Sequence, residues 1–238
     1  MKLATLQALH ASARHNLAHT SRRSLATEAH TKRRLASDAY TDAQQSTNAA
    51  VSTTPVFKLP ERQRRTLESA LRVDQAGELA ANAIYQGQMA VLGRDPATGP
   101  LIQDMWDQEK KHLAVMNKLQ LQHHVRPTLL WEVARLGGLG LGAVTALMGR
   151  EAAMACTEAV ETVIGEHYDD QLRDMESLPG DHPSVPLLKN VIAEFRDDEL
   201  EHLDIAVEND SQRAPAHALL STVVGAGCKV AIELCKRF

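Results

Sequence analysis

Four glutamates in this sequence stand where a helical core would normally place leucine. Glu109-Lys110-Lys111-His112 and Glu199-Leu200-Glu201-His202 are its two Glu-x-x-His motifs. Residues three apart on a helix share a face, so each motif presents a carboxylate and an imidazole to the same neighbour. That face runs through Leu101, Met105, Met116 and Leu119 around the first motif. Around the second it runs through Leu188, Val191, Ile192, Phe195, Ile205 and Ala206. Both motifs therefore point at a core rather than at water. Two lone glutamates are placed the same way: Glu78 among Leu71, Ala81 and Tyr85, and Glu161 among Cys156, Ala159, Ile164 and Tyr168. Each lone glutamate is followed seven residues later by a tyrosine and then, after 31 and 38 residues, by the glutamate of a motif. This reads as one helical hairpin used twice. Four buried carboxylates without matching Lys or Arg would each cost several kcal/mol, so the chain has to supply cations, and two divalent metals would do so.

The rest of the sequence suits long helices. Aromatic residues make up only 3% of the chain, against 44% apolar residues overall, which disfavours a β-sandwich or barrel. Breaker clusters at 93–100, Arg126-Pro127, 177–183 and Ala214-Pro215 predict six helices, at about 62–92, 101–124, 128–148, 150–176, 184–209 and 215–236. Such lengths with short connections fit an antiparallel bundle. The three cysteines form no C-x-x-C pair, which excludes a disulfide scaffold and a thiolate zinc site. Carboxylate plus imidazole suits iron or manganese.

The net charge of −4 excludes a generally basic nucleic-acid binder and hides an asymmetry. Residues 1–50 hold seven Lys and Arg against three acids, and the remainder 19 against 27. The first 27 residues lack acids and are rich in Ala, Ser, Thr, Leu and His, the composition of a mitochondrial transit peptide. We assign 1–38 to that peptide, with Arg23-Ser24-Leu25-Ala26 as a candidate processing site. Its histidines, His10, His15, His19 and His30, are not read as ligands. Residues 39–61, with two prolines in a Thr, Ser, Gln and Asn background, read as a linker with nothing to bury. The folded domain is 62–238.

One glutamate from each of two helices and a Glu-x-x-His from each of two others is the arrangement of di-iron carboxylate bundles. The expected fold is all-α: a ferritin-like four-helix di-iron bundle with two additional apolar helices. The stretches Leu71 to Glu78, Met105 to His112, the glycine-rich run 137–149, Ala153 to Thr157 and Phe195 to His202 make the likeness more specific. From Leu71 to Phe238 the sequence resembles the mitochondrial demethoxyubiquinone hydroxylases of ubiquinone biosynthesis. The resemblance implies that Glu78 and His112 serve one iron, Glu161 and His202 the other, with Glu109 and Glu199 bridging. It implies that His167-Tyr168 moves electrons or protons between quinone and iron. It further implies O2 as co-substrate and a polyprenyl quinol substrate; the electron donor is either NADH acting directly or a separate reductase. The partners it implies are the matrix face of the inner membrane, other ubiquinone-biosynthesis proteins including a lipid-binding accessory protein, and further copies of the chain. Gln75 and Leu79-Ala80 depart from the family's His and Tyr-Gly; none is a ligand, and the expectation is altered tuning near the first iron.

Asp198, and less strongly Asp74, are candidates to orient a ligating histidine. His123-His124 read as surface residues complementing a helix C-terminus. Gly138-Leu139-Gly140-Leu141-Gly142-Ala143 has dinucleotide-loop spacing but no preceding strand, and reads as a small-residue surface for a helix or a lipid chain. The uncharged run 136–149 would span about 21 Å, too short for a bilayer core. Its all-round apolarity suits the membrane interface, with Arg135 and Arg150 at headgroups; a buried bundle helix or a dimer contact is the alternative. Two other functional classes share the residues: an iron-storage protein, and a metal-free scaffold of a membrane-bound biosynthetic complex.

Overall fold

A computed structural model describes residues 35–41, 49–52 and 58–238. The expected transit peptide, 1–38, lies outside the described residues as far as residue 34. All regular structure among the described residues is helical. Six long helices follow one another: α1 Glu61–Leu92, α2 Thr98–Gln122, α3 Trp131–Leu147, α4 Arg150–Asp174, α5 Ser184–Glu208 and α6 His217–Cys235. Helices α1 and α2 form one hairpin and α4 and α5 another, while α3 lies along α1 and α6 along α4.

Local chemistry sets the boundaries. α1 opens after Pro60, and Glu61 in its first turn pairs with Arg64 at 2.7 Å and Arg65 at 2.7 Å, placing a carboxylate at the positive end of the helix dipole. Asp95 accepts the backbone N–H groups of Ala97 at 3.0 Å and Thr98 at 2.7 Å. This starts α2 three residues before the expected position, with Pro100 tolerated in the first turn. Gly149, with φ of 121°, makes the sharp turn from α3 to α4. α6 starts at His217 rather than 215, after Ala216 in the left-handed region.

The closest packing is between α1 and α3. A Cβ on Gly142 would lie 2.0 Å from the carbonyl oxygen of Ile84, and one on Gly138 2.5 Å from that of Ala80. Gly137 and Gly140 meet nothing within 4 Å. The i, i+4 pair of glycines, rather than the dinucleotide-like spacing, is what the fold uses.

Two expectations are corrected. The compact unit begins at Ala36 rather than near Arg62. Within the expected linker Tyr40 is buried, its hydroxyl donating to Gln122 Oε1 at 2.8 Å, and the adjacent Ser37 Oγ donates to Glu194 Oε1 at 2.5 Å. Tyr40 and Leu59 give that polar segment something to bury. His123 is fully buried, not a surface residue, and burial lowers its pKa to about 4. α6 is long and apolar enough, by length and composition, to cross a membrane. In the fold it lies on α4, with Val224, Leu220 and Cys228 against Ile84, Cys156 and Val160.

Candidate metal centre

Helices α1, α2, α4 and α5 bring all six predicted ligand residues to one buried point. Glu78, Glu109, His112 and Glu199 offer one set of ligand atoms lying within 4.8 Å of one another; Glu109, Glu161, Glu199 and His202 offer a second. Glu109 and Glu199 belong to both sets. His112 Nδ1 stands 3.6 Å from Glu78 Oε2 and 3.3 Å from Glu199 Oε1. His202 Nδ1 stands 3.1 Å from Glu109 Oε1 and 3.3 Å from Glu199 Oε2. Each ring directs its other nitrogen away from the cluster: His112 Nε2 to Asp198 Oδ2 at 3.0 Å, His202 Nε2 to Gln108 Oε1 at 3.1 Å. The tyrosines seen in the sequence repeat cross between the hairpins. Tyr168 donates to Glu78 Oε1 at 2.5 Å, and Tyr85 to Glu161 Oε1 at 3.2 Å.

Without a cation this cluster has to hold protons. Desolvation raises the Glu78 carboxyl to about 8 and drives Glu109 and Glu161 upward, with like-charged neighbours adding to the shift of the latter two. Glu199 is held below its ordinary value because both imidazoles outweigh its desolvation. Burial pulls both histidines down, yet the surrounding carboxylates carry them above their usual range. Glu78 Oε2, both oxygens of Glu109, Glu199 Oε2 and both histidine Nδ1 atoms are buried without a hydrogen-bond partner. Such converging lone pairs are costly unless a cation sits among them. The donor set, oxygen plus imidazole without sulfur, fits a pair of iron or manganese ions.

Residues 65–235 match the family model described as ubiquinone biosynthesis protein COQ7. The chain belongs to this family. Its relatives include the NADPH-dependent 3-demethoxyubiquinone 3-hydroxylase, mitochondrial, of Bos taurus, 52% identical over 175 residues, 73% of this chain and 79% of the relative. The 5-demethoxyubiquinone hydroxylase, mitochondrial, of Saccharomyces cerevisiae is 44% identical over 189 residues, 75% of this chain and 81% of the relative. The 3-demethoxyubiquinol 3-hydroxylase of Rhodospirillum rubrum is 46% identical over 173 residues, 72% and 78%. All six clustered residues lie within the span matched to the family.

Three of the cluster's glutamates lie at the floor of an apolar cavity of about 440 Å³. Glu78, Glu161, Glu199 and Tyr168 line its base, and α3 and α6 wall it with residues such as Val133, Leu141, Val223 and Ile232. His167 also lines it and meets Asp74 Oδ1 through Nε2 at 3.3 Å; Gln171 holds the other oxygen of Asp74 at 2.6 Å. Burial raises the Asp74 pKa. His167 and Val73 separate this cavity from a polar cleft carrying Arg62, Arg65, Arg173 and Lys236.

Of the orienting candidates, Asp198 meets a motif histidine directly, whereas Asp74 meets His167 instead. Gln108 is a positioning group that the stripes do not reveal; its signal is its place immediately before Glu109, matching Asp198 before Glu199. Gln75 turns its amide to Asn117 at 3.2 Å, so that departure acts between α1 and α2. Cys228 and Cys235 line the cavity and Cys156 lies in the core; burial raises Cys228 to about 11 and Cys156 to about 12. Arg135 and Arg150, expected at headgroups, each have a carboxylate partner in the chain: Glu132 at 2.8 Å and Asp210 at 3.5 Å.

Proposed function

We propose that the six-residue cluster holds two irons and that the chain is a monooxygenase hydroxylating the ring of a demethoxyubiquinol-type polyprenyl quinol, a late step of ubiquinone biosynthesis. Glu78 and His112 would hold one iron and Glu161 and His202 the other, with Glu109 and Glu199, common to both ligand sets, serving as the bridges. The observation that carries this reading is the apolar cavity ending on three of the four glutamates. A storage site has no need of a ring-sized apolar chamber, and a scaffold has no need of unpartnered carboxylates. The names of the family relatives support the substrate class.

In the balanced reaction one oxygen atom of O2 enters a ring C–H, and the other leaves as water with two electrons and two protons from a reductant. The iron pair supplies O2 activation. The chain's residues bind the ring, exclude water through α3 and α6, and hold protons. Tyr168 donates to Glu78 at the cavity floor, and His167 stands between the cavity and the polar cleft, where a proton or electron would cross. The reductant is a nicotinamide nucleotide. NADH acting directly and a separate reductase are the two expected routes, and the mammalian relatives are named as NADPH-dependent.

The protein works on the matrix face of the mitochondrial inner membrane, after loss of the transit peptide. Leu136, Val144 and Leu147 on α3 and Leu219, Val223 and Val230 on α6 are exposed apolar side chains on the two helices that wall the cavity. They enter the interface and admit the polyprenyl tail. Other ubiquinone-biosynthesis proteins, a lipid-binding accessory protein and further copies of the chain are the expected partners.

The test is anaerobic loading with Fe²⁺, addition of a short-tailed demethoxyquinol with NADH or NADPH, and then ¹⁸O2. A product heavier by one labelled oxygen is the expected outcome. Iron uptake with no oxygenated product under either reductant would move the chain to the storage class.

A further inference from the structure

The two hairpins share a residue register that their contacts follow. Seven residues after Glu78 and Glu161 stand Tyr85 and Tyr168; ten residues after them stand Gln88 and Gln171. Four residues before them stand Asp74 and Thr157. The bonds cross from one hairpin to the other. Tyr85 reaches Glu161 and Tyr168 reaches Glu78. Gln88 reaches Thr157 Oγ1 at 3.3 Å, and Gln171 reaches Asp74. His112 and His202 follow the same rule, meeting Asp198 on α5 and Gln108 on α2, each the residue immediately before the opposite motif's glutamate.

The frame is thus two-fold, and its residues break the symmetry in one direction. At both pairs of equivalent positions the side that holds Glu78 and His112 has a carboxylate, Asp74 or Asp198. The other side has a neutral group, Thr157 or Gln108. His112 is also stacked on Phe195, ring centroids 3.9 Å apart, whereas His202 meets Tyr85 edge-on at 6.0 Å.

We infer that Asp198 and Gln108 are positioning residues that make the two metal positions chemically unequal. With each Nδ1 turned to the metal, Nε2 carries the ring proton and needs an acceptor. An aspartate accepts it in a charge-assisted bond, about twice as strong as a neutral one, and makes the imidazole a stronger donor. A glutamine oxygen fixes the ring without that gain. The metal beside Glu78 and His112 is therefore the more electron-rich and the more firmly held. The metal beside Glu161 and His202 is the more labile.

This inference rests on the two-iron reading above, and the two fail differently. The experiment uses the full chain loaded with ⁵⁷Fe, compared with Asp198→Asn and Gln108→Glu. Readouts are iron per chain, the Mössbauer spectrum of the ferrous form and the time course of iron removal by a chelator. The unaltered chain should show two resolved quadrupole doublets and two-step release, with rates about tenfold apart. Asp198→Asn should merge the doublets and bring the slow step up to the fast one. Gln108→Glu, which adds a carboxylate instead of removing one, should merge them by bringing the fast step down. Should Asp198→Asn fail to load iron, Gln108→Glu decides alone. An unaltered chain with one doublet and single-step release overturns the inference. So do variants that keep two irons and an unchanged spectrum and release ratio. No iron bound to the unaltered chain overturns the two-iron reading instead.

Discussion

In α1, α2, α4 and α5 the innermost positions include Glu109, His112 and His202, none of them accessible to solvent, while on α3 and α6 Leu147 is 74% and Leu219 65% exposed. Four helices turn polar groups inward and two turn apolar groups outward. Each inversion is unfavourable for a chain folded alone in water, and each becomes favourable with the right surroundings. Cations offset the first and a lipid surface the second. The cavity joins the two regions, because α3 and α6 wall it and Glu78, Glu161 and Glu199 floor it. The molecule is therefore arranged to bring an apolar ligand from outside to a charged centre inside.

The sharpest way to break the inner region is Glu199→Ala. Glu199 faces both histidines, at 3.3 Å each, and is the one cluster carboxylate with a lowered pKa. Removing it should take bound iron from roughly two per chain to fewer than one and abolish hydroxylation, while Glu78→Ala should chiefly weaken one iron. Elemental analysis of the purified variants checks this. Two irons retained in Glu199→Ala would falsify the bridging assignment.

A smaller effect separates the regions by pH. Glu78 in the metal-free fold is raised from 4.5 to about 8 by desolvation. A raised carboxyl pKa contributes stability that is complete below the unfolded value and is lost as pH rises through the folded one. The metal-free protein should therefore melt several degrees lower at pH 8 than at pH 6, and iron should remove most of that difference. Melting curves with and without chelator at both pH values make the comparison; identical pH responses would place the proton-holding groups elsewhere.

The outer region is tested by Val144→Glu together with Leu147→Glu, both on the exposed face of α3. Each loses about 1.5–3 kcal/mol of apolar transfer, so the liposome partition constant should fall by at least about a hundredfold, while iron content and melting temperature stay within the small range of surface changes. Loss of iron along with flotation would show that this face supports the bundle rather than a membrane.

How much of this was legible in the sequence follows from periodicity. Glu78, Glu109, Glu161 and Glu199 could be found because each interrupts an apolar stripe, and the two histidines because they stand three residues further on. Gln108 sits one residue off its stripe and is only half-buried, so its one mark was its place immediately before Glu109. Tyr40 lies in a run of Thr, Ser and Gln whose average polarity concealed a single buried ring, and His123 follows a helix end where exposure is the usual expectation. Local averages describe stripes well, but they miss contacts made by one residue with a distant helix.

Glycine gives the finest division between inward and outward. Gly138 and Gly142 face the backbone of α1, whereas Gly137 and Gly140, on the same helix, face open space. A methyl group at Gly142 would lie 2.0 Å from the carbonyl oxygen of Ile84, and a backbone atom cannot swing aside as a flexible side chain can. Gly142→Ala should force α3 away from α1 at a cost of about 1–3 kcal/mol, a drop of several degrees in melting temperature for a chain of this size. Gly140→Ala adds the same methyl group where nothing opposes it, and should stabilise α3 by about 0.5–1 kcal/mol through helix propensity alone. Because α3 forms a wall of the cavity, the first variant should also loosen quinol binding, raising KM with little change in kcat, while the second leaves both constants unchanged. Equal melting temperatures for the two variants would mean that α3 rests on α1 more loosely than these contacts require.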